Sequence, residues 1–165
     1  MTPDAQPNMG HKNTRREARE LALRMLFELD LGKQDAEEVI AAALAQSPLE
    51  GGNREMAEDL VRGTLAHQTE IDAQVAALAT DWALDRQAAV DRNILRLSAY
   101  EMLYRPDAPV ATVVNEAVEL AKKYSTAESG RFVNGVLGAL ARLPRGVADA
   151  PTHEAPETEG GNGPL

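Results

Sequence analysis

Residues 85–105 read DRQAAVDRNILRLSAYEMLYR and point most clearly to the fold class. The apolar side chains of this stretch recur every three or four positions, at Val90, Ile94, Leu97, Tyr100 and Leu103. This period is typical of an amphipathic helix. We expect the helix to begin at Asp85 and to end at Arg105, because a proline follows and disfavours helical backbone in the residue before it.

The same apolar spacing recurs along most of the chain, and glycine or proline separates the helical segments. The predicted helices begin near Thr14, Asp35, Asn53, Gln68, Asp85, Val110 and Glu128. A linker at 49–53, which contains two glycines, precedes the third helix. Since no convincing strand is evident, we expect an all-α helical bundle of about seven helices. Its two sub-bundles are expected at about 14–80 and 85–145, between a disordered arm (1–13) and a disordered acidic tail (146–165).

The composition excludes several classes of protein. The 165 residues suffice for one domain, or for two small subdomains that share a core. Without cysteine the chain has no disulfides, no thiolate catalysis and no thiolate zinc site. The three histidines are too scattered to form a helical metal-binding pair, and we expect no metal and no cofactor. No signal peptide and no apolar stretch of about 20 residues is evident, so we expect a soluble cytoplasmic protein with no membrane partner.

The formal net charge of −9 argues against a nucleic-acid partner, but the charge is unevenly distributed. Residues 35–85 carry a net charge of −9 and residues 146–165 carry −4, whereas 1–34 carry +1 and 86–145 carry +3. This segregation predicts an electropositive surface built from the first helix and the C-terminal half. Ordinary surface charge explains the same distribution equally well.

The first helix opens with three arginines, Arg15, Arg16 and Arg19. Arg15 and Arg19 are four positions apart and share a helix face. Each cation at a helix start opposes the helix dipole by about 0.3–1 kcal/mol, which suggests that these arginines serve a purpose. A guanidinium binds phosphate through two hydrogen bonds and stacks on exposed bases. Alternatively, the arginines belong to a solvated face and pair with Glu17 and Glu20 of the same helix.

Aromatic and basic residues further along the chain are a second candidate for RNA binding. Phe27 lies two turns beyond Arg19 and can stack on a base, although core packing is the simpler explanation. Lys122, Lys123 and Tyr124 end the sixth helix, where cations suit the helix dipole. A basic and aromatic cluster at a surface loop also suits single-stranded RNA.

Several residues of the last helix have environments that can be predicted from their spacing. Phe132 shares a stripe with Val136 and Leu140, so we expect it to face the core. Asn134 and Gly135 are unusual inside a helix. We expect a buried hydrogen bond at the asparagine and a close helix approach at the glycine.

Motifs typical of enzymes are not evident. The sequence contains no glycine-rich phosphate loop, no Gly-x-Ser-x-Gly elbow and no His-Glu-x-x-His motif. Its carboxylates fall on predicted polar faces and form no identifiable catalytic pair. We therefore expect a protein that binds and does not catalyse.

Four segments occur in an order that is typical of one protein family. They are Arg15-Arg16-x-Ala18-Arg19-Glu20, then Asp91-Arg92-x-Ile94-Leu95-Arg96-Leu97 with Tyr100-Glu101, then Val114-Asn115-Glu116-Ala117-Val118-Glu119-Leu120-Ala121-Lys122, and last Arg131-Phe132-Val133-Asn134-Gly135-Val136-Leu137. The last two segments are the most specific. With these segments the chain resembles the NusB family from about Arg15 to Arg142.

The resemblance implies two helical sub-bundles and a role in transcription antitermination. Members of the family bind the boxA element of nascent RNA, notably in ribosomal RNA operons, and they act in the transcription elongation complex. They do so as a heterodimer with the small-subunit ribosomal protein that doubles as NusE. The arginine-rich RNA-contacting motif of the family maps onto Arg15, Arg16 and Arg19. Glu17 departs from members with a third consecutive arginine, and Phe27 replaces a frequent tyrosine but keeps the stacking face.

The expected binding residues follow from the motifs and the resemblance together. The predicted RNA-binding residues are Arg15, Arg16, Arg19, Phe27, Lys122, Lys123 and Arg131. Tyr124 and Glu128, near the loop before the last helix, are the predicted contacts of the ribosomal protein. The free protein is either a monomer or a homodimer.

Two other functions remain open. Helical domains of this type also stand at the N-terminus of ribosomal RNA cytosine methyltransferases, so the chain is alternatively a stand-alone relative of such an RNA-binding domain. The other alternative is a purely protein-binding helical adaptor, whose arginines form only a solvated face. Salt dependence separates RNA binding from an apolar helix contact, because RNA affinity falls steeply with salt.

Overall fold

The computed structural model describes residues 14–79 and 87–144. Seven α-helices make up most of these two ranges, and they are α1 Thr14–Leu31, α2 Ala36–Gln46, α3 Gly51–Ala66, α4 Gln68–Leu78, α5 Ala89–Tyr104, α6 Val110–Tyr124 and α7 Ala127–Arg142. Neither range contains a strand, so the predicted all-α bundle of about seven helices is confirmed. The predicted arm at 1–13, the acidic tail at 146–165 and the predicted helix start at Asp85 lie outside the described residues.

Short polar side chains determine where two of the helices begin. Oδ2 of Asp35 accepts a hydrogen bond from the amide of Glu38 at 3.1 Å, as its capping position predicts. Thr126 caps α7 in the same way, because its Oγ1 accepts a hydrogen bond from the amide of Ser129 at 2.9 Å. The predicted linker at 49–53 is shorter than expected, since α3 already begins at Gly51. That glycine takes a left-handed φ of 57°, which suits a residue without a side chain.

Helix α5 lies at the centre of the bundle and contacts α1, α3, α4, α6 and α7. All of its residues from Asn93 to Met102 are buried, so the helix is covered on every side and not along one stripe only. One hydrophobic cluster contains buried residues of all seven described helices. The division into two sub-bundles stays a prediction.

Polar residues on α5 are buried together with charged partners. Arg96 donates to both carboxylate oxygens of Asp72 on α4, at 2.8 and 2.9 Å. Asp30, near the end of α1, accepts from Arg92 at 2.6 Å and from Asn93 at 2.9 Å. Burial by itself raises the pKa of Asp30, but these hydrogen bonds and the charges of Arg92 and Arg96 lower it below its ordinary value. The pairs hold α1 and α4 against the central helix.

The predictions for three residues of α7 have different outcomes. Phe132 packs against the core as expected but is only half-buried, because it lies at the edge of a buried stripe that includes Val133, Val136 and Leu140. Asn134 and Gly135 are exposed, so the predictions of a buried hydrogen bond at the asparagine and a close helix approach at the glycine are wrong. A Cβ atom at Gly135 would meet nothing within 4 Å.

Helices α3 and α5 approach each other closely at Gly63 of α3. A Cβ atom at this position would lie 2.0 Å from Cζ of Tyr100 on α5, so only glycine lets the ring lie this close to the helix backbone. The hydroxyl of Tyr100 donates to Asp59 at 3.2 Å. Burial, together with the neighbouring carboxylate, raises the pKa of Tyr100 to about 12.

Candidate nucleic-acid interface

The three predicted arginines line one cleft, at the start of α1. The cleft has a volume of about 450 Å³, and its walls are formed by α1, the turn between α5 and α6, and the first two turns of α6, together with Met56 of α3 and Glu101 of α5. Its charged lining residues are Arg15, Arg16, Arg19, Arg105, Glu101, Asp107 and Glu116. Four arginines and three carboxylates share this small volume, so their pairing decides which cations are available to a ligand.

Arg15 is the most available of these cations. Its side chain is exposed, and its Nη1 donates to the Sδ atom of Met56 on α3 at 3.3 Å. No carboxylate of the described residues pairs with it. A thioether is a weak acceptor, so most of the five N–H donors of this guanidinium remain available. Since Arg15 also lies in the first turn of α1, an anion bound to it would relieve the repulsion by the helix dipole.

Arg16 is held by a carboxylate from another helix. Its Nε and Nη2 donate to the two oxygens of Glu116 on α6 at 2.9 and 2.8 Å, which is the geometry that a phosphate also takes. The exposed fraction of the side chain is 46% for Arg16 and 18% for Glu116. The hydrogen bonds between them raise the pKa of Arg16 and lower that of Glu116 from their ordinary values.

Arg19 lies deeper in the cleft and is only 7% exposed. Its Nε and Nη2 donate to the two oxygens of Glu101 on α5 at 3.0 and 2.6 Å. A charge at this depth requires such a partner, because it has lost its contact with water. Arg19 reaches a phosphate only if the pair with Glu101 opens. A direct contact between Arg19 and RNA therefore stays a prediction.

The basic cluster at the end of α6 lies beside α1. Nζ of Lys123 donates to Oε2 of Glu20 at 2.7 Å, which raises the pKa of this lysine, and it lies 5.2 Å from the ring centre of Tyr124. Lys122 pairs more loosely with a carboxylate of its own helix, at 3.8 Å. Together with the ion pair of Arg16, the Lys123–Glu20 pair joins α6 to α1, so cations from distant parts of the chain lie along one surface.

Next to this surface is a groove of about 740 Å³, which α1, α2 and the segment after α2 form together with Tyr124. Phe27 is half-buried in this groove, and 41% of Tyr124 is exposed. The fold thus brings together two aromatic residues that were predicted to bind different partners. An aromatic face in a groove with a cation nearby suits an unpaired base, and Lys123 provides the cation.

A separate cavity of about 450 Å³ contains the predicted partner residue Glu128, together with Asp91, Ser129 and Phe132. Asp91 is 8% exposed, and its Oδ2 accepts from Oγ of Ser129 at 2.8 Å. Its Oδ1 is buried and has no hydrogen-bond partner among the described residues. A buried carboxylate oxygen without a partner favours a ligand that brings a hydrogen-bond donor, and two carboxylates in one cavity favour a cationic donor.

Arg131, the remaining predicted RNA ligand, is exposed on α7 and lines neither the cleft nor the groove. Within residues 14–79 and 87–144, no three histidine, aspartate or glutamate side chains come close enough to hold a metal ion. In the same part of the chain, every helix is too short or too polar to cross a membrane.

Sequence reasoning missed the carboxylates that hold the predicted cations. Glu116, Glu101 and Glu20 pair with cations that are 100, 82 and 103 positions away along the chain. No local pattern reveals contacts at such separations. All three of these carboxylates, and Asp91 as well, did stand in the segments that resemble a known family, and that position was the available signal.

Most of the sequence matches a family of known proteins. Residues 16–142 match the sequence model of the NusB family. The chain is 46% identical over 145 residues to the transcription antitermination protein NusB of Symbiobacterium thermophilum, and the match covers 83% of this chain and 95% of that protein. It is also 46% identical over 126 residues to the protein of the same name from Desulforamulus reducens, with 76% of this chain and 88% of that protein covered.

The fold is similar to those of two solved structures. NusB of T. maritima superposes with a TM-score of 0.74 at 34% identity, and the match covers 78% of this chain and 91% of that chain. A structure of the antitermination factors NusB and NusE in complex with double-stranded RNA gives a TM-score of 0.72 at 29% identity, with 80% of this chain and 98% of that chain covered.

Proposed function

Because the chain belongs to the NusB family, we propose that it is a transcription antitermination factor. In this proposal it binds the boxA element of nascent ribosomal RNA together with the small-subunit ribosomal protein that acts as NusE. The family match over residues 16–142 carries the proposal, and the relative bound to NusE and double-stranded RNA supports both partners. The protein acts in the cytoplasm by recruitment to the elongation complex, and it makes and breaks no covalent bond.

The proposed RNA-binding surface lies between α1 and α6. Arg15 supplies a guanidinium that pairs with no carboxylate of residues 14–79 and 87–144, Arg16 lies beside it, and Lys123 marks the other end of the surface. Phe27 and Tyr124 offer aromatic faces to unpaired bases in the adjacent groove. Phosphate contacts hold the RNA in place, whereas the stacked bases favour a single-stranded element.

The proposed surface for the ribosomal protein is the cavity that contains Asp91 and Glu128. The Oδ1 atom of Asp91, which has no partner in the described part of the chain, favours a lysine or arginine side chain of the ribosomal protein. The same carboxylates repel phosphate, which keeps the RNA on the other surface. Arg131, which is exposed three positions after Glu128, can contact an RNA strand that continues past the partner.

A binding titration with boxA-type RNA, with and without the ribosomal protein, tests this function. We expect binding that is tighter with the partner present and that weakens steeply with salt. Glu128→Gln is expected to weaken the binding of the ribosomal protein, whereas Glu38→Gln, an exposed residue of α2, serves as the control. Partner binding without any RNA binding would instead favour the adaptor. Methyl transfer to ribosomal RNA would favour the relative of the methyltransferases.

A further inference from the structure

We propose that Glu116 occupies the phosphate position on Arg16 in the free protein and that RNA displaces it. The inference rests on the proposed RNA-binding function, and it identifies Glu116 as a residue that limits the affinity for RNA. Glu116 is not an RNA ligand in this account. It is a positioning residue that competes with the RNA backbone for one guanidinium.

The geometry of the ion pair carries the first step. The two carboxylate oxygens of Glu116 accept hydrogen bonds from Nε and Nη2 of Arg16, at 2.9 and 2.8 Å. Carboxylate and phosphate bind a guanidinium through the same pair of parallel hydrogen bonds. The two therefore compete for this edge of Arg16, and an RNA phosphate can bind there only after Glu116 has moved away.

Solvent exposure makes this exchange possible. Nearly half of the Arg16 side chain is exposed, so a phosphate can approach the guanidinium from solution. The pair is thus unlike Arg19 and Glu101, whose side chains are 8% and 2% exposed. Exposed ion pairs contribute little free energy and can be exchanged, whereas buried ones cannot be separated without a large penalty.

Neighbouring charges favour the exchange as well. Arg15 has no carboxylate partner among the described residues, so it offers the RNA a first contact next to Arg16. Glu116 also lies within the field of Arg19, which contributes to the lowered pKa of this carboxyl group. The displaced carboxylate therefore keeps a cation nearby, and the exchange leaves no isolated charge in the cleft.

Two variants of the full-length chain test the proposal through the Kd for boxA-type RNA. Glu116→Gln removes the charge but keeps the shape, and we expect it to tighten binding about two- to fivefold, the factor that corresponds to a surface ion pair. Glu116→Asp keeps the charge but shortens the side chain, and we expect a smaller gain. Glu38→Gln is the matched control, because this exposed residue of α2 makes the same change in net charge and pairs with none of the cations of the proposed RNA-binding surface.

A double variant shows whether the gain acts through Arg16. When Arg16→Ala is combined with Glu116→Gln, we expect the gain to fall to the level of the Glu38→Gln control. Equal effects of Glu116→Gln and Glu38→Gln, or a gain that persists without Arg16, would overturn the proposal. The proposed function fails separately if the wild-type protein does not bind the RNA. If the wild type binds and Arg15→Ala weakens binding while Glu116→Gln has no effect, the function stands and the competition by Glu116 is wrong.

Discussion

At the scale of single residues, the ion pairs around the cleft differ in how much water reaches them. Arg19 and Glu101 are almost completely covered, whereas Arg16 beside them is nearly half exposed. Breaking a covered pair leaves a charge without water, which is costly, while an exposed pair contributes at most about 1 kcal/mol. The covered pair therefore maintains the fold, and the exposed cations next to it are available for binding.

Arg15→Ala is expected to weaken RNA binding and to leave the fold intact. Loss of one phosphate contact should also flatten the log–log salt dependence of the affinity by about 0.7 for a single strand. Lys33→Ala is the matched control, since this exposed residue follows the opposite end of an 18-residue helix about 27 Å long. RNA titrations at several salt concentrations measure both effects. Equal losses in the two variants would show that only net charge matters.

Arg19→Ala is expected to destabilise the protein by about 3–5 kcal/mol, because it leaves the carboxylate of Glu101 buried without its cation. Arg16→Ala removes the exposed pair of the same cleft and should cost less than about 1 kcal/mol. Urea unfolding of the two variants gives the comparison. If both substitutions cost equally little, Arg19 is not a structural residue, and its predicted contact with RNA gains support.

At the scale of secondary-structure elements, local sequence patterns predicted where the helices lie better than they predicted what packs around each helix. The order of seven helices and the cap at Asp35 follow from the spacing of apolar residues and one short polar side chain. The burial of α5 on all sides did not follow, because Arg92 and Arg96 resemble a solvated face until Asp30 and Asp72 are brought to them. These partners are 62 and 24 positions away in the sequence.

In the candidate site, too, the sequence predicted some features and not others. The arginines at the start of α1 were predictable, since cations at this end of a helix conflict with its dipole. Their pairing was not, because the carboxylates come from α5 and α6. The close approach expected at Gly135 occurs at Gly63 instead, since both glycines stand in helices and only the packing of α3 against α5 distinguishes them.

Gly63→Ala is expected to destabilise the fold by about 1–3 kcal/mol. The added Cβ atom would lie 2.0 Å from Cζ of Tyr100, and the ring is packed in the core and cannot move aside without displacing α5. Gly52→Ala, on the same helix, is the control because a Cβ atom there meets nothing within 4 Å. Thermal melting of both variants checks the expectation. Equal melting temperatures would mean that α3 and α5 can separate without cost.

At the scale of the whole molecule, the charge distribution limits how RNA can be bound. Residues 35–78 hold nine carboxylates and two arginines, for a net charge of −7, and α1 holds four cations and four anions. Long-range attraction for RNA is therefore weak, and binding depends on the few cations that lack a firm partner. A cationic ribosomal protein in the cavity of Asp91 and Glu128 would change this balance, which gives a physical reason for binding RNA as a heterodimer.

The lowered pKa of Asp30 predicts how stability changes in acid. A carboxyl group whose pKa is lower in the folded state than in the unfolded state stabilises the fold at pH values above its ordinary pKa of about 3.9. This stabilisation is lost as the pH falls through the pKa of the folded state. Asp30→Asn should cost about 1–3 kcal/mol at pH 7, and its stability should converge with that of the wild type in acid. Urea unfolding between pH 7 and about pH 2 measures this. Asp107→Asn, on a side chain that is 77% exposed, should follow the wild type throughout.

The contact between Arg19 and Glu101 also has a consequence for the order of events during synthesis. The two residues are 82 positions apart, so at about 5–20 residues per second the carboxylate leaves the peptidyl-transferase centre roughly 4 to 16 s after the arginine. Until then the apolar faces of α1 and α3 have no central helix to pack against. Nascent chains that stop short of α5 are therefore expected to be substrates for chaperones and proteases.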